Sequence, residues 1–160
     1  MKNIKIEINF KVFESVSELP ISIQKLMNKA HEARKKAYAP YSFFGVGAAL
    51  QLDSGEIITG NNQENAAYPS GLCAERVAIF HAGSQYPKMT VTAMALTAGS
   101  TKKTNETPIP PCGACRQVLA EYEVKQEQAI EIYFMGKSGK VVKSNSVKDL
   151  LPLIFDSSYL

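Results

Sequence analysis

Apolar and polar positions alternate with a period of two over residues 4–12, where Ile4, Ile6, Ile8, Phe10 and Val12 are separated by Lys5, Glu7, Asn9 and Lys11. That pattern predicts a strand at the start of the chain. Over residues 21–38 the period changes: Ile23, Leu26, Met27, Ala30, Ala33 and Ala37 recur at helical spacing, and Pro40 is expected to end the helix. Residues 46–52 and 56–60 read as two strands around the turn Asp53-Ser54-Gly55. A polar loop over 61–72 leads into a helix from about residue 73 to 82, and an apolar strand follows over 91–97. Residues 99–111 collect Gly, Ser, Thr, Asn and Pro and read as a loop. A further helix opens at Cys112 or Gly113 and runs to about Glu123. Strands over 130–135 and 141–143 flank the segment 136–139, and a short helix over 147–151 stops at Pro152.

Helices interspersed with strands predict an α/β fold: three layers, α/β/α, around a mixed sheet of about five strands. A length of 160 residues suits one compact domain with one sizeable core. Residues 1–20 are expected to form an extension with one strand, ahead of everything that carries chemistry. No internal repeat or low-complexity tract interrupts the remainder.

Composition narrows the function classes. A hydrophobic share of 45% with 21% charged residues argues against disorder. No apolar run approaches the roughly 18 to 20 residues that span a bilayer, so no membrane partner is expected. The N-terminal residues interleave charge with Ile and Phe and lack the apolar block of a secretion signal, so a cytoplasmic location is expected. Net charge is only +3, and Arg34-Lys35-Lys36 and Lys102-Lys103 read as solvated faces, not as a nucleic-acid track.

The three cysteines need another explanation than a disulfide framework. Cys112 and Cys115 are three apart at the first turn of a helix, a spacing that aims both sulfurs at one locus. Cys73, at the start of another helix, completes a three-sulfur site that leaves zinc a fourth position for water. Helix N-termini favour thiolate over thiol. Three thiolates on Zn²⁺ leave a charge of about −1, which Arg76 and Arg116 are expected to offset by donating to the sulfurs. The only histidines are His31 and His81, and His81 falls two turns into its helix, so neither is expected to close the site. Glu75 stands two positions after Cys73. At a helix N-terminus its carboxylate can sit beside the metal's open position, and on spacing alone a surface glutamate is an equal reading.

C-A-E (Cys73 to Glu75) followed by P-C-x-x-C (Pro111 to Cys115) resembles the signature of the zinc-dependent nucleoside deaminases. YAPYSFFGVGAAL (38–50), GNNQENAAYPSGLCAERVA (60–78), PCGACRQVLAE (111–121) and DLLPLIF (149–155) are similar to segments of the small homotetrameric cytidine deaminases. The resemblance spans roughly residues 25 to 155 and makes 21–160 the catalytic domain. It implies one zinc per subunit on Cys73, Cys112 and Cys115, with Glu75 as proton shuttle, and hydrolysis of cytidine and 2′-deoxycytidine to the uridines and ammonia. It implies that Phe44 packs on the pyrimidine, that Asn62 and Glu64 bind the ribose hydroxyl, and that the backbone at Ala74 reads the base. Ala66, Tyr68 and Phe155 are implied to reach a neighbouring subunit's pocket in a homotetramer. The partner is thus a small nucleoside and not a nucleic acid.

Three features depart from that family. A segment of about twenty residues precedes its first helix. Gly45 stands where a larger polar residue is common, so a changed pocket wall is expected. Ile109-Pro110 replaces the usual Ser or Thr before Pro111-Cys112. Two other readings stay open on sequence alone: a deaminase of a related cytosine nucleoside or antibiotic, and a non-catalytic zinc module.

Overall fold

The hairpin and the two apolar strands read from the alternation become the centre of one sheet. A computed structural model describes residues 1–104 and 106–160; Asn105, inside the predicted 99–111 loop, lies outside the described residues. In chain order the elements are β1 (Lys11–Phe13), α1 (Ile21–Arg34), β2 (Phe44–Leu52), β3 (Ile57–Asn61), α2 (Ala74–Gln85), β4 (Val91–Ser100), α3 (Gly113–Lys125), β5 (Glu131–Met135), β6 (Val141–Ser144) and α4 (Val147–Leu150). The strands join in the order β1-β6-β5-β4-β2-β3. Among the described residues only β4 and β5 run parallel, and the other neighbours are antiparallel, so the sheet is mixed as expected.

Alternation sorts the core into two layers. Leu50, Met94, Leu96, Ile132 and Phe134 pack with Ala78, Ile79 and Leu119 under α2 and α3. The intervening Ala49, Ala93, Ala95, Tyr133 and Met135 pack with Leu26, Met27 and Ala30 of α1 on the opposite face. Period two in the strands thus feeds both faces, which gives the three-layer arrangement.

Four features differ most from the sequence reading. The sheet has six strands, not about five, because β1 adds itself to the β6 edge. Of the alternating 4–12 segment only Lys11 and Val12 are paired, within β1; the register, Lys11↔Lys143 to Phe13↔Val141, runs out at Ser144, where the chain turns toward α4. Helix α1 stops at Arg34 and not near Tyr38. The Tyr38 amide donates instead to the Asn62 carbonyl (3.0 Å) and its carbonyl accepts from the Glu64 amide (2.9 Å), so the chain gives up helical bonding to tie the site loop. Gly99 and Ser100 remain in β4, opposite Gly45 and Phe44, instead of opening a loop.

Candidate active site

Two helices begin side by side on one face of the sheet, and each begins with a cysteine. Cys73 is the N-cap of α2 and Cys112 the N-cap of α3, both with extended backbone, while Cys115 lies buried in the first turn of α3. Gly60 of β3 permits this placement. A Cβ there would lie 2.5 Å from the Ala74 carbonyl oxygen and 2.6 Å from the Ala78 nitrogen, so only glycine lets the start of α2 settle on the sheet.

The three sulfurs lie within 4.8 Å of one another. Cys73 and Cys112 Sγ are 3.9 Å apart, and Cys112 and Cys115 Sγ 3.5 Å apart. Tetrahedral Zn–S bonds of about 2.3 Å require sulfurs about 3.8 Å apart, so the triangle fits zinc. No His, Asp or Glu joins the cluster among the described residues, which leaves three ligands and an open corner. The Cys73 thiol is lowered to about 5, first by the hydrogen bond from Cys115, with Arg76 and Cys112 adding to it against burial. Cys115 is pushed upward because it donates to Cys73 and is buried. Such a cluster is short of positive charge, the condition a dication relieves.

Glu75, the second residue of α2, is 3% exposed and lines the same cavity as Cys73 and Cys112. Burial, with the nearby Cys73 charge, raises its carboxyl to about 7, so it can exchange protons near neutral pH. Arg76 Nη2 approaches Cys73 Sγ at 3.7 Å, and its buried Nε has no hydrogen-bond partner. Arg116 behaves otherwise than expected. It donates to the carbonyls of Pro111 (2.7 Å) and Leu150 (2.8 Å), so it steadies the segment entering α3 and not a sulfur.

The cavity beside this cluster has a volume of about 650 Å³, within the range of small-molecule sites. Phe44, Asn62, Glu64 and Tyr68 all line it. Phe44 points in because the preceding Phe43 holds φ at 57°, in the left-handed region, and carries its own ring away beneath Lys102 Nζ at 3.4 Å. Asn62 bridges the start of β2: Oδ1 accepts from the Val46 amide (2.8 Å) and Nδ2 donates to the Phe44 carbonyl (2.9 Å). Glu64 accepts from the Tyr41 and Ser42 amides (2.9 and 3.2 Å) and from the Ser42 hydroxyl, which together hold its carboxyl low. Both polar residues therefore brace the walls as well as facing the space. Ala74 is fully buried at the first position of α2.

Ala66 and Phe155 are not among this subunit's cavity residues; both are exposed. The Phe155 carbonyl accepts from Gln117 Nε2 (2.7 Å) and its ring stacks on Tyr159, with centroids 5.8 Å apart. Gly45 does not shape the cavity wall. Its open side faces Arg34 and Ala37, on the α1 face of the sheet. Ile109 and Pro110 do line the cavity, so that departure falls at the site. The sequence reading missed Tyr41 and Ser42, whose amides need an acceptor in the turn after Pro40, and Leu96 and Ala98, hidden in the middle of an apolar strand.

The family model for the cytidine and deoxycytidylate deaminase zinc-binding region matches residues 20–130. A cytidine deaminase of Halalkalibacterium halodurans is 42% identical over 132 residues, 82% of this chain and 92% of that protein. One from Sporosarcina psychrophila is 39% identical over 88% of this chain and 96% of its own length. The crystal structure of a cytidine deaminase from Burkholderia pseudomallei superposes with a TM-score of 0.70 at 40% identity, covering 82% of this chain and 97% of that one.

Proposed function

The chain belongs to the cytidine and deoxycytidylate deaminase zinc-binding family, and from that premise we propose that it hydrolyses cytidine and 2′-deoxycytidine to the corresponding uridines with release of ammonia. The observation that carries this reading is the three-sulfur triangle with Glu75 buried beside it in a nucleoside-sized cavity. Cys73, Cys112 and Cys115 would hold the zinc, which would supply Lewis acidity to activate a water. Glu75 takes one proton from the attacking water and passes it to N3 of the pyrimidine as the water oxygen bonds to C4; it then takes the second proton from the new C4 hydroxyl and gives it to the exocyclic amine as the C4–N4 bond breaks and ammonia leaves. Its position, buried and with a carboxyl near 7, supports both halves of that traffic.

Phe44 offers its ring face to the base, the backbone at Ala74 reads the base edge, and Asn62 and Glu64 bind a ribose hydroxyl. The hydrogen bonds that lock Asn62 and Glu64 against β2 and the Tyr41 turn support that role, because pre-set polar groups discriminate best. Arg76 offsets thiolate charge. Tyr68 faces its own cavity, whereas Ala66 and Phe155 serve a neighbouring subunit's pocket in a homotetramer, a reading supported by their exposure here. Residues 21–160 form the catalytic unit and 1–20 its extension. The reaction fits pyrimidine salvage, and three thiols that must stay reduced suit the cytoplasm.

Glu75→Gln tests the assignment. It should retain one zinc per chain by elemental analysis and lose about a thousandfold or more in kcat for cytidine, followed by ultraviolet absorbance. Near-normal turnover in that variant would remove Glu75 from the role, and metal-free active protein would remove the mechanism.

A further inference from the structure

Residues 1–10 lie ahead of the range matched by the family model and carry a strand pattern with no strand beside it among the described residues. Ile4, Ile6 and Phe10 are 87%, 50% and 44% exposed, Ile8 between them is half-buried, and Val12 in β1 is 57% exposed; period two puts all five on one face of an extended chain. On the other face Lys5 pairs with Glu7 two residues on, as an extended backbone allows. The segment continues directly from β1, the edge strand of the sheet. Its register on β6 is used up at Ser144, so among the described residues the arm runs on past the last strand partner. A strand edge with an apolar stripe and no neighbour is a template for pairing.

We infer that this arm pairs antiparallel with the same arm of a second copy of the chain, in a symmetric register centred on Ile6. The charges select that register. Centred on Ile6, Lys5 faces Glu7 of the partner subunit and Glu7 faces the partner's Lys5, with Asn3 opposite the partner's Asn9. On the apolar face Ile6 meets the partner's Ile6, and Ile4 meets the partner's Ile8. Centring on Lys5 sets lysine against lysine, and centring on Glu7 sets glutamate against glutamate, both unfavourable. A slip by one residue puts isoleucines opposite charges and turns one stripe to the wrong face. Over residues 3–9 the sequence is thus complementary to itself in this register, as a twofold interface requires, with Lys2 opposite the partner's Phe10 at its margin. The contact adds to whatever association residues 21–160 make, because it uses none of them.

Sedimentation velocity over a dilution series tests the pairing. The full chain should show a self-association step that a variant lacking residues 1–9 has lost. Lys5→Glu and Glu7→Lys, each alone, place like charges opposite one another and should shift that step to about tenfold higher protein concentration or beyond. An equimolar mixture of the two variants restores both ion pairs in the mixed dimer and should associate within about threefold of the full chain. Zinc content per chain and the far-ultraviolet spectrum, both expected unchanged, establish that each variant is folded. The inference is overturned if the shortened chain associates as the full chain does, or if the mixture associates no better than its components.

Discussion

On the face covered by α1, Gly47 lets backbone meet backbone: a Cβ there would lie 2.1 Å from the Ala30 carbonyl oxygen and 2.4 Å from the Arg34 nitrogen. On the face covered by α2, Gly60 does the same for Ala74 and Ala78, at 2.5 and 2.6 Å. The two glycines sit on adjacent, paired strands, Gly47 opposite Asn61 and Gly60 opposite Ala48. One packing device therefore docks a helix on each face of the sheet. What differs is the residue at which each helix begins. Helix α1 follows Pro20 and buries Leu26, Met27 and Ala30 without ionisable chemistry at its start, whereas α2 and α3 follow Cys73 and Cys112. Catalytic potential here comes from the caps and not from the packing.

That contrast separates two substitutions of equal size. Gly60→Ala should displace the start of α2, carrying Cys73 and Glu75 with it, and lower kcat/KM for cytidine about a hundredfold, because an ångström of misplacement suffices. Gly47→Ala meets closer backbone atoms and should cost about 3 kcal/mol of stability in denaturant unfolding. At a temperature where both variants are folded, Gly47→Ala should keep kcat within about threefold of the parent. Equal activity losses in the two variants would erase the distinction between the faces.

A smaller effect is expected at the far end of α3. Glu123 is 5% exposed and accepts from the Ile130 amide (2.8 Å), the Val147 amide (2.9 Å) and the Ser146 hydroxyl (2.5 Å). It fastens α3 to the start of β5 and to α4. Glu123→Ala strands three donors and should destabilise the chain by about 2 to 3 kcal/mol, read as a shifted denaturant midpoint at unchanged slope. Its cysteines lie at the opposite end of α3, so zinc content should hold. Loss of zinc in that variant would mean that the caps depend on the whole helix and not on their local docking.

The sequence displayed the sheet and the metal ligands well, and for one reason: both are periodic or local. Strands β2, β4 and β5 alternate because each feeds two cores, and Cys112 and Cys115 are one helical turn apart. What it displayed poorly depends on partners remote along the chain. Alternation over 4–12 names a strand but not its neighbour, and among the described residues only Lys11 and Val12 of that stretch find one. Helical spacing at Ala37 could not reveal that Tyr38 would bond to the site loop at Asn62 and Glu64. Arg116 was read by its nearness to Cys115, yet its guanidinium turns to Pro111 and Leu150. Gly45 was read as a wall of the cavity, although the pleat aims it at α1.

The α1 face does hold one charged cluster, and it allows the contrast between the faces to be tested with pH. Glu131 accepts from the Lys143 ammonium and from the Tyr133 hydroxyl (2.7 Å), three neighbours on adjoining strands β5 and β6. Burial opposes ionisation of Glu131, but these donors and the Lys143 charge hold its carboxyl below the usual range. A group lowered in the folded state adds stability above its unfolded value of about 4.3 and loses it as pH falls through the folded value. The Glu131 side chain is 39% exposed, so solvent screening limits the contribution to a few tenths of a kcal/mol. The unfolding free energy of the parent minus that of Glu131→Gln should therefore be largest at pH 7 and shrink as pH falls below the unfolded value. Metal loss in acid is common to both proteins and cancels in the difference. The kcat for cytidine at pH 7 should be the same in both, because the cluster faces away from Cys73 and Glu75. A change in kcat at pH 7 would show that charge on the α1 face reaches the chemistry on the other.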